Sequence, residues 1–98
     1  MFARVNSFHA DPAKAEQAKK YVNDTIIPAA KKIDGYKGYL ALVDRATGKS
    51  YGITFWESEA AMKASEEAGT KLRSAAASDL SLSAPTVERM EVLVNTRE

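Results

Sequence analysis

The chain has 98 residues, of which 45% are hydrophobic and 28% charged, a length and composition that predict one globular domain over residues 1–98. Fourteen basic residues oppose thirteen acidic ones, and the resulting net charge of +1 argues against binding to nucleic acid or to an anionic membrane surface. Cysteine is absent, which excludes disulfides, thiolate metal sites and a cysteine nucleophile.

The sequence carries no signal for a membrane segment or a bound cofactor. No apolar run approaches about 20 residues, and no basic-then-apolar leader opens the chain, so we expect a cytoplasmic protein with no membrane contact. A glycine-rich phosphate loop, a metal-ligand cluster and a G-x-S-x-G motif are all missing. We therefore expect no metal and no cofactor.

The first third of the chain predicts a strand followed by a helix. Met1–Phe8 has strand-like residues, and the Asp-Pro pair at 11–12 supplies a helix N-cap and a first-turn proline. Pro28 should interrupt the helix near residues 24–28, and Gly35 should end it. The predicted apolar stripe of this helix is Ala15, Ala18, Val22, Ile26, Ala29 and Ile33.

A hairpin, a second helix and a last strand follow. Strands are predicted over Tyr36–Asp44 and Lys49–Trp56, with the turn RATG at 45–48 between them. Ser58 should cap a helix that Gly69 divides into two pieces. The remaining features are the apolar stripe of this helix (Ala61, Ala64, Ala68, Leu72 and Ala75), a loop over Ser81–Pro85 and a strand over Thr86–Val94.

The order β-α-β-β-α-β predicts a ferredoxin-like α+β fold, a four-stranded antiparallel sheet with helices on one face. The strands do not alternate as a half-exposed sheet should, because Tyr51, Ile53 and Phe55 share one face while Trp56 lies on the other. Leaving about six large side chains exposed would forgo about 1.5–3 kcal/mol each. We therefore predict a homodimer in which two sheets pack face to face into a barrel.

Lys49–Trp56, KSYGITFW, also invites comparison with the RNA-recognition motif, whose third strand stacks bases on exposed rings. Lys49, Tyr51, Gly52 and Trp56 fit that pattern. Ile53 stands where the second stacking ring belongs, and the chain lacks a basic flank. We expect no nucleic-acid partner and interpret this strand as packed on both faces.

Three segments together resemble the antibiotic biosynthesis monooxygenase (ABM) family. IDGYKGY at 33–39 is similar to the start of its second strand, DRATGK at 44–49 to its acidic hairpin turn, and FWESEAA at 55–61 to its strand-to-helix junction. The resemblance spans nearly the whole chain. It implies a dimeric α/β barrel with a small-molecule pocket between sheet and helices, and a function such as cofactor-free oxygenation of a phenolic substrate.

The haem-degrading branch of that superfamily uses an Asn on the first strand with a Trp and a His on later helices. Asn6 falls at the Asn position, but Ser65 and Ala75 fall near the other two. Haem degradation by that route is therefore disfavoured.

Candidate site residues are few. His9, the one histidine, is a candidate general base near neutral pH, and Asn6 is the second catalytic candidate. Arg4, Phe8 and Trp56 are the candidate substrate-binding residues. Structural roles compete with four of these. They are a solvated strand end for His9, a polar strand residue bonded to a neighbour for Asn6, and core packing for Trp56. For Arg4 the alternative is an ion pair with an acidic residue of the last strand, Glu88 or Glu91.

Two classes of function remain open at this point. One is a small dimeric oxygenase or isomerase, which the family resemblance favours. The other is a non-catalytic ligand-binding or stress-associated dimer on the same scaffold, which the small number of titratable candidates favours.

Overall fold

The computed structural model describes residues 1–96. A 3₁₀ turn (Pro12–Lys14) precedes the first helix, and a π-helical segment (Val22–Ile26) connects that helix to the next. The regular elements are β1 (Phe2–His9), α1 (Ala15–Tyr21), α2 (Ile27–Ala30), β2 (Tyr36–Val43), β3 (Lys49–Trp56), α3 (Glu59–Ala64), α4 (Glu66–Asp79) and β4 (Thr86–Glu91).

The four strands form one antiparallel sheet in the order β2-β3-β1-β4, with the helices on one face. This confirms the predicted ferredoxin-like α+β fold. Residues paired across neighbouring strands share a face, so the register places Arg4 opposite Thr54 and Arg89, and Asn6 opposite Gly52. Within residues 1–96, no helix is both long and apolar enough to cross a membrane.

The first helical region is interrupted where Pro28 predicts it, by the π segment directly before α2. The Asp11 side chain accepts a hydrogen bond from the Ala13 amide and so supplies the expected cap. Within the predicted stripe Ile26 is buried and Ala29 is half-buried, while Ala30, which the prediction left out, is also buried. A π turn holds more residues than an α turn, and the buried face is accordingly wider here than the predicted stripe.

The second helical region breaks at Ser65, between α3 and α4, and not at Gly69 as predicted. The Ser58 hydroxyl caps α3 by accepting a hydrogen bond from the Ala61 amide at 3.1 Å. The predicted stripe is wrong at its exposed members, Ala64, Ala68 and Ala75. The residues that turn inward are Met62, Ser65, Gly69, Leu72, Arg73 and Ala76.

The last strand ends at Glu91, three residues before the predicted end at Val94. Val92 still donates its amide to the Met1 carbonyl at 2.9 Å, but Leu93 and Val94 extend away from the sheet and are more than four-fifths exposed. Glu91 pairs with Phe2, which is the first residue of β1. The antiparallel ladder therefore ends there, and β4 ends with it.

The sheet face away from the helices remains apolar within the described chain. The register places Val5, Leu40, Tyr51 and Ile53 there as half-buried side chains. Leu42 and Met90 on the same face are 47% and 48% exposed. No helix covers these side chains, as the sequence predicted.

Candidate functional site

A cavity of about 460 Å³ lies between the sheet and the helices. The side chains of β1, β2 and β3 that face the helices form its floor, and α1, the π segment, α2 and α4 form its walls. This is the location that the ABM resemblance implies. The volume falls within the usual range for small-ligand sites, about 300–1,000 Å³.

Arg4 lies at the centre of the floor and is 2% exposed. Its Nη2 donates to the Met62 carbonyl at 2.7 Å and to Ser65 Oγ at 2.9 Å. The guanidinium also stacks over the Trp56 ring, 5.5 Å from the ring centroid. These contacts fix a positive charge beneath the cavity and join β1 to the α3–α4 junction.

Glu66 is the ion-pair partner of Arg4, in place of the Glu88 or Glu91 partner that the sequence suggested. Its Oε1 lies 3.1 Å from Arg4 Nη2, while Arg89 donates to both carboxylate oxygens, at 2.5 and 2.8 Å. Hydrogen bonding to Arg89, together with the charge and hydrogen bond of Arg4, lowers the pKa of Glu66 to about 2. Glu66 thus differs from Glu59 and Glu67 on the same two helices, which form exposed i,i+4 pairs with Lys63 and Lys71.

Asn6 lies two residues further along the same face of β1. Its Nδ2 donates to the Gly52 carbonyl at 2.9 Å, while its Oδ1 is buried and has no hydrogen-bond partner among the described residues. Arg4 Nε is unpaired in the same way. Buried polar atoms without partners are costly, and both of these residues line the cavity, where a ligand can supply the missing partners.

Tyr39 is a cavity residue that the sequence analysis missed. Regular alternation along β2 would place Tyr36 and Tyr39 on opposite faces, but an irregularity between Tyr36 and Gly38 turns both toward the helices. The Tyr39 hydroxyl lies over Gly52, where a Cβ would approach it to 2.6 Å. Burial raises the pKa of Tyr39, and repulsion from Tyr36 raises it further by a smaller amount. The Tyr39 hydroxyl therefore stays protonated and acts as a hydrogen-bond donor. The only sequence signal was the repeated glycine-aromatic pair in GYKGY.

Four of the five predicted site residues line the cavity: Arg4, Asn6, Phe8 and Trp56. Trp56 is 1% exposed, donates its Nε1–H to Thr54 Oγ1 and meets the Tyr36 ring edge-on at 6.1 Å between centroids. A ring buried in this way is unavailable for base stacking. His9 alternates away from this face, is exposed and is not among the residues around the cavity.

The side chains of the cavity do not suit haem. His9 is the only histidine of the chain and lies outside the cavity. Ser65, at the position where the haem-degrading branch has Trp, is buried and bonded to Arg4, and Ala75 is exposed on α4. The Arg4 guanidinium over Trp56 has the chemistry to bind an anion or a polarised oxygen.

No family model matches the sequence. Two curated relatives from Mycobacterium tuberculosis are uncharacterized proteins: Rv2558 is 35% identical over 77 residues, and Rv2557 is 31% identical over all 98. The matched regions cover 33% and 43% of those proteins, so the chain spans well under half of their length.

Solved structures share the fold over nearly the whole chain. The monooxygenase ActVA-Orf6 of Streptomyces coelicolor, solved with nanaomycin D, has a TM-score of 0.75 at 18% identity, covering 99% of this chain and 91% of its own. The haem degrader MhuD of M. tuberculosis has a TM-score of 0.74 at 16% identity, and the match covers 99% of this chain and 100% of MhuD. SnoaB of Streptomyces nogalater, a cofactor-independent oxygenase, has a TM-score of 0.68 at 18% identity, and the match covers 99% of this chain and 97% of SnoaB. The structural neighbours are thus ABM-like proteins, and the chain has their fold.

Proposed function

We propose that this chain is a cofactor-independent monooxygenase that oxidises a small phenolic substrate in the cavity between sheet and helices. The observation that carries the proposal is the pairing of an apolar chamber with a buried, incompletely bonded Arg4 and Asn6 on its floor. The fold shared with ActVA-Orf6 and SnoaB supports the same chemistry.

The chemistry requires that the phenol be held as its anion. The Arg4 charge favours a phenolate oxygen over the neutral phenol, since an opposite charge in a desolvated site lowers the pKa of an acid. The Tyr39 hydroxyl is a second donor to that oxygen, while Asn6 Oδ1 accepts from a second hydroxyl of the substrate. The phenolate then reduces dioxygen; one oxygen atom enters the ring as a quinone carbonyl and the other leaves as water.

A non-catalytic ligand-binding protein is the second candidate. It is favoured by the position of His9, because the one histidine of the chain does not face the cavity. Asp11, the one acidic residue among the described cavity walls, is occupied as the cap of the following turn. In this alternative the same cavity holds an aromatic molecule without turnover.

We also propose that the protein acts as a homodimer through the sheet face opposite the cavity. Val5, Leu40, Leu42, Ile53 and Met90 present apolar side chains there, and no described helix covers them. Burying them against a second copy would add to the stability of each domain at about 25 cal/mol per Å². The dimer would also enclose β3 on both sides.

Oxygen consumption distinguishes the two candidate functions. The purified protein is incubated with a panel of dihydroxynaphthalenes while dissolved oxygen is recorded, with protein-free samples as the control for autoxidation. Uptake coupled to quinone formation supports the oxygenase. Binding of the same compounds by calorimetry without added uptake would instead assign the protein to the ligand-binding class.

Variants then locate the chemistry. We expect Asn6→Ala to lower the turnover number at least about tenfold, because it removes an acceptor that orients the reacting ring. His9→Ala is the matched test of the sequence-predicted base, and the placement of His9 outside the cavity leads us to expect an unchanged rate. A full loss of activity in His9→Ala, with the Asn6 variant active, would contradict this arrangement.

A further inference from the structure

Two guanidinium groups converge on one point of the cavity wall. A Cβ on Gly69 of α4 would lie 2.8 Å from Arg4 Nη1 and 3.4 Å from Arg73 Nη1. Both arginines line the cavity. The missing side chain of Gly69 leaves space for these two cationic ends, and a Cβ there would displace at least the Arg4 end.

The positive charge at this point is not fully neutralised. Glu66 is shared between Arg4 and Arg89, and Arg89 occupies both of its oxygens. Arg73 donates to Thr70 Oγ1 at 2.9 Å and forms no ion pair within residues 1–96. Burial lowers the pKa of Arg73, and repulsion from the neighbouring Arg4 cation lowers it further.

The hydrogen-bonding capacity of these groups is also unused. Arg4 Nη2 makes all of the bonds that its guanidinium forms to described residues, so Nη1 and Nε have none there. On the same floor, Asn6 Oδ1 is an unpaired acceptor. The site thus offers hydrogen-bond donors on Arg4 and Arg73, and an acceptor on Asn6, two residues beyond Arg4 on β1.

The charge bias belongs to the cavity and not to the chain. Basic and acidic residues are nearly equal in the whole sequence, fourteen and thirteen. Among the described residues that line the cavity, five of the six charged ones are basic: Arg4, Lys14, Lys19, Arg45 and Arg73, with Asp11 as the exception. Arg4 and Arg45 are paired with Glu66 and Glu16, whereas Lys14, Lys19 and Arg73 form no ion pair among the described residues. An anionic ligand is therefore attracted to the cavity and then held at its inner wall.

We propose that the ligand is an aromatic carboxylate bearing a ring hydroxyl, with its carboxylate held between Arg4 and Arg73 beside Gly69 and its ring oxygen directed to Tyr39 and Asn6, which meet at Gly52. In such a ligand the carboxylate takes the Arg4 contact that a phenolate oxygen would otherwise use, and the Tyr39 hydroxyl is the donor to the reacting ring oxygen. This inference rests on the proposed function, since it names the substrate class of the same cavity. A carboxylate accepts from two guanidinium groups at once. The apolar walls contributed by Ala18, Ile26, Leu72 and Ala76 receive the ring.

The test compares 6-hydroxy-2-naphthoate with its neutral analogue, 6-hydroxy-2-naphthamide, by isothermal titration calorimetry. We expect the naphthoate to bind at least about tenfold more tightly, because only the carboxylate gains charge-assisted bonds from both arginines. Raising the salt concentration should weaken the naphthoate more than the naphthamide. Equal affinities, or no measurable binding of either compound, would overturn the proposal.

Variants on α4 identify the residue responsible. Arg73→Gln should reduce the preference for the naphthoate to less than about threefold while leaving naphthamide affinity nearly unchanged. Lys71→Gln is the matched control: Lys71 is a cation of the same helix that is exposed and paired with Glu67 outside the cavity. A preference that survives Arg73→Gln, or is lost equally in Lys71→Gln, contradicts the site.

The two proposals fail in different ways. If the naphthoate binds with the expected preference but no oxygen is consumed, the oxygenase proposal is contradicted and the carboxylate site is supported. If neutral dihydroxynaphthalenes cause oxygen uptake while naphthoate and naphthamide bind equally, the oxygenase is supported and the carboxylate site is contradicted.

Discussion

At the scale of single residues, Arg4 combines structural and binding roles. It is buried under the cavity, bonded to Ser65 and the Met62 carbonyl, stacked on Trp56 and paired with Glu66. A buried cation of this kind is tolerated only because each of these groups compensates part of its lost hydration. Loss of any of them should therefore be measurable in the free energy of unfolding.

Glu66 makes that stability pH-dependent. Its folded-state pKa, about 2, lies below the ordinary value of 4.5, so the carboxylate contributes stability above pH 4.5 that is lost as the pH falls toward 2. We expect Glu66→Gln to be less stable than the unsubstituted protein at pH 6, and the difference to shrink steadily between pH 4.5 and 2.5. Urea denaturation at a series of pH values measures it.

Glu67→Gln is the control for this prediction. Glu67 belongs to the same turn but is exposed, and its one ion-pair partner within residues 1–96 is Lys71, at 3.6 Å. Its substitution should change the free energy of unfolding little at any pH, as surface ion pairs usually do. A Glu66→Gln deficit that stays constant from pH 6 to pH 2.5 would contradict the assignment.

Gly52 tests the placement of the Tyr39 hydroxyl. A methyl group at position 52 would lie 2.6 Å from that hydroxyl and must displace it. We expect Gly52→Ala to lower the free energy of unfolding by about 1–3 kcal/mol in chemical denaturation. Adding Tyr39→Phe to that variant should restore part of the loss, since the clashing oxygen is gone; an undiminished loss would show that Tyr39 lies elsewhere.

At the scale of the elements, Gly35 connects the end of the first helical region to α3. It adopts φ 83°, a left-handed conformation that favours glycine, and a Cβ there would overlap the Ala61 Cβ. Gly35→Ala should therefore destabilise the fold by about 1–3 kcal/mol from backbone strain, with a further loss from the overlap.

A double-mutant cycle separates these two contributions. Ala61→Gly alone should cost about 1 kcal/mol as a glycine substitution in a helix. Combined with Gly35→Ala it removes the overlap, so the double variant should be less destabilised than the sum of the two single variants. Strict additivity, measured by urea denaturation, would rule out the contact.

The elements also show what a single sequence can predict. The order of strands and helices along the chain, both helix caps and the interruption before Pro28 were predictable, because each follows from local sequence signals. The inward face of α4 was not predictable, because its alanines are compatible with an apolar stripe on either side of the helix. Tertiary packing decides which side is buried. Gly69 suggested a helix break, but it is the point where α4 makes room for Arg4.

The candidate site was predictable in part for the same reason. Arg4, Asn6, Phe8 and Trp56 were named from the sequence, and the structure places all four around one cavity. Arg73 and Tyr39 were missed. Arg73 faces the cavity because of the rotation of α4 about its axis, which depends on packing. Tyr39 faces the cavity because of the irregularity in β2. The partner of Arg4 was likewise a tertiary contact that spacing does not reveal.

At the scale of the whole molecule, the uncovered sheet face leads to a prediction about assembly. We expect sedimentation equilibrium at micromolar concentration to give twice the chain mass of 10.7 kDa. Leu42→Glu, on the uncovered face, should shift the protein toward the single chain, because it places a charge in the apolar contact. Ala64→Glu is the control, as Ala64 is exposed on α3 away from that face. A stable single chain in the unsubstituted protein would contradict the dimer.

The absence of a side chain at Gly69 has a consequence beyond this protein. A methyl group in place of one hydrogen atom would approach Arg4 Nη1 to 2.8 Å and Arg73 Nη1 to 3.4 Å. Chains of this fold with alanine or a larger residue there would have to move the end of at least one arginine. The identity of that position should therefore decide how closely two guanidinium groups can lie at the inner wall of such chains.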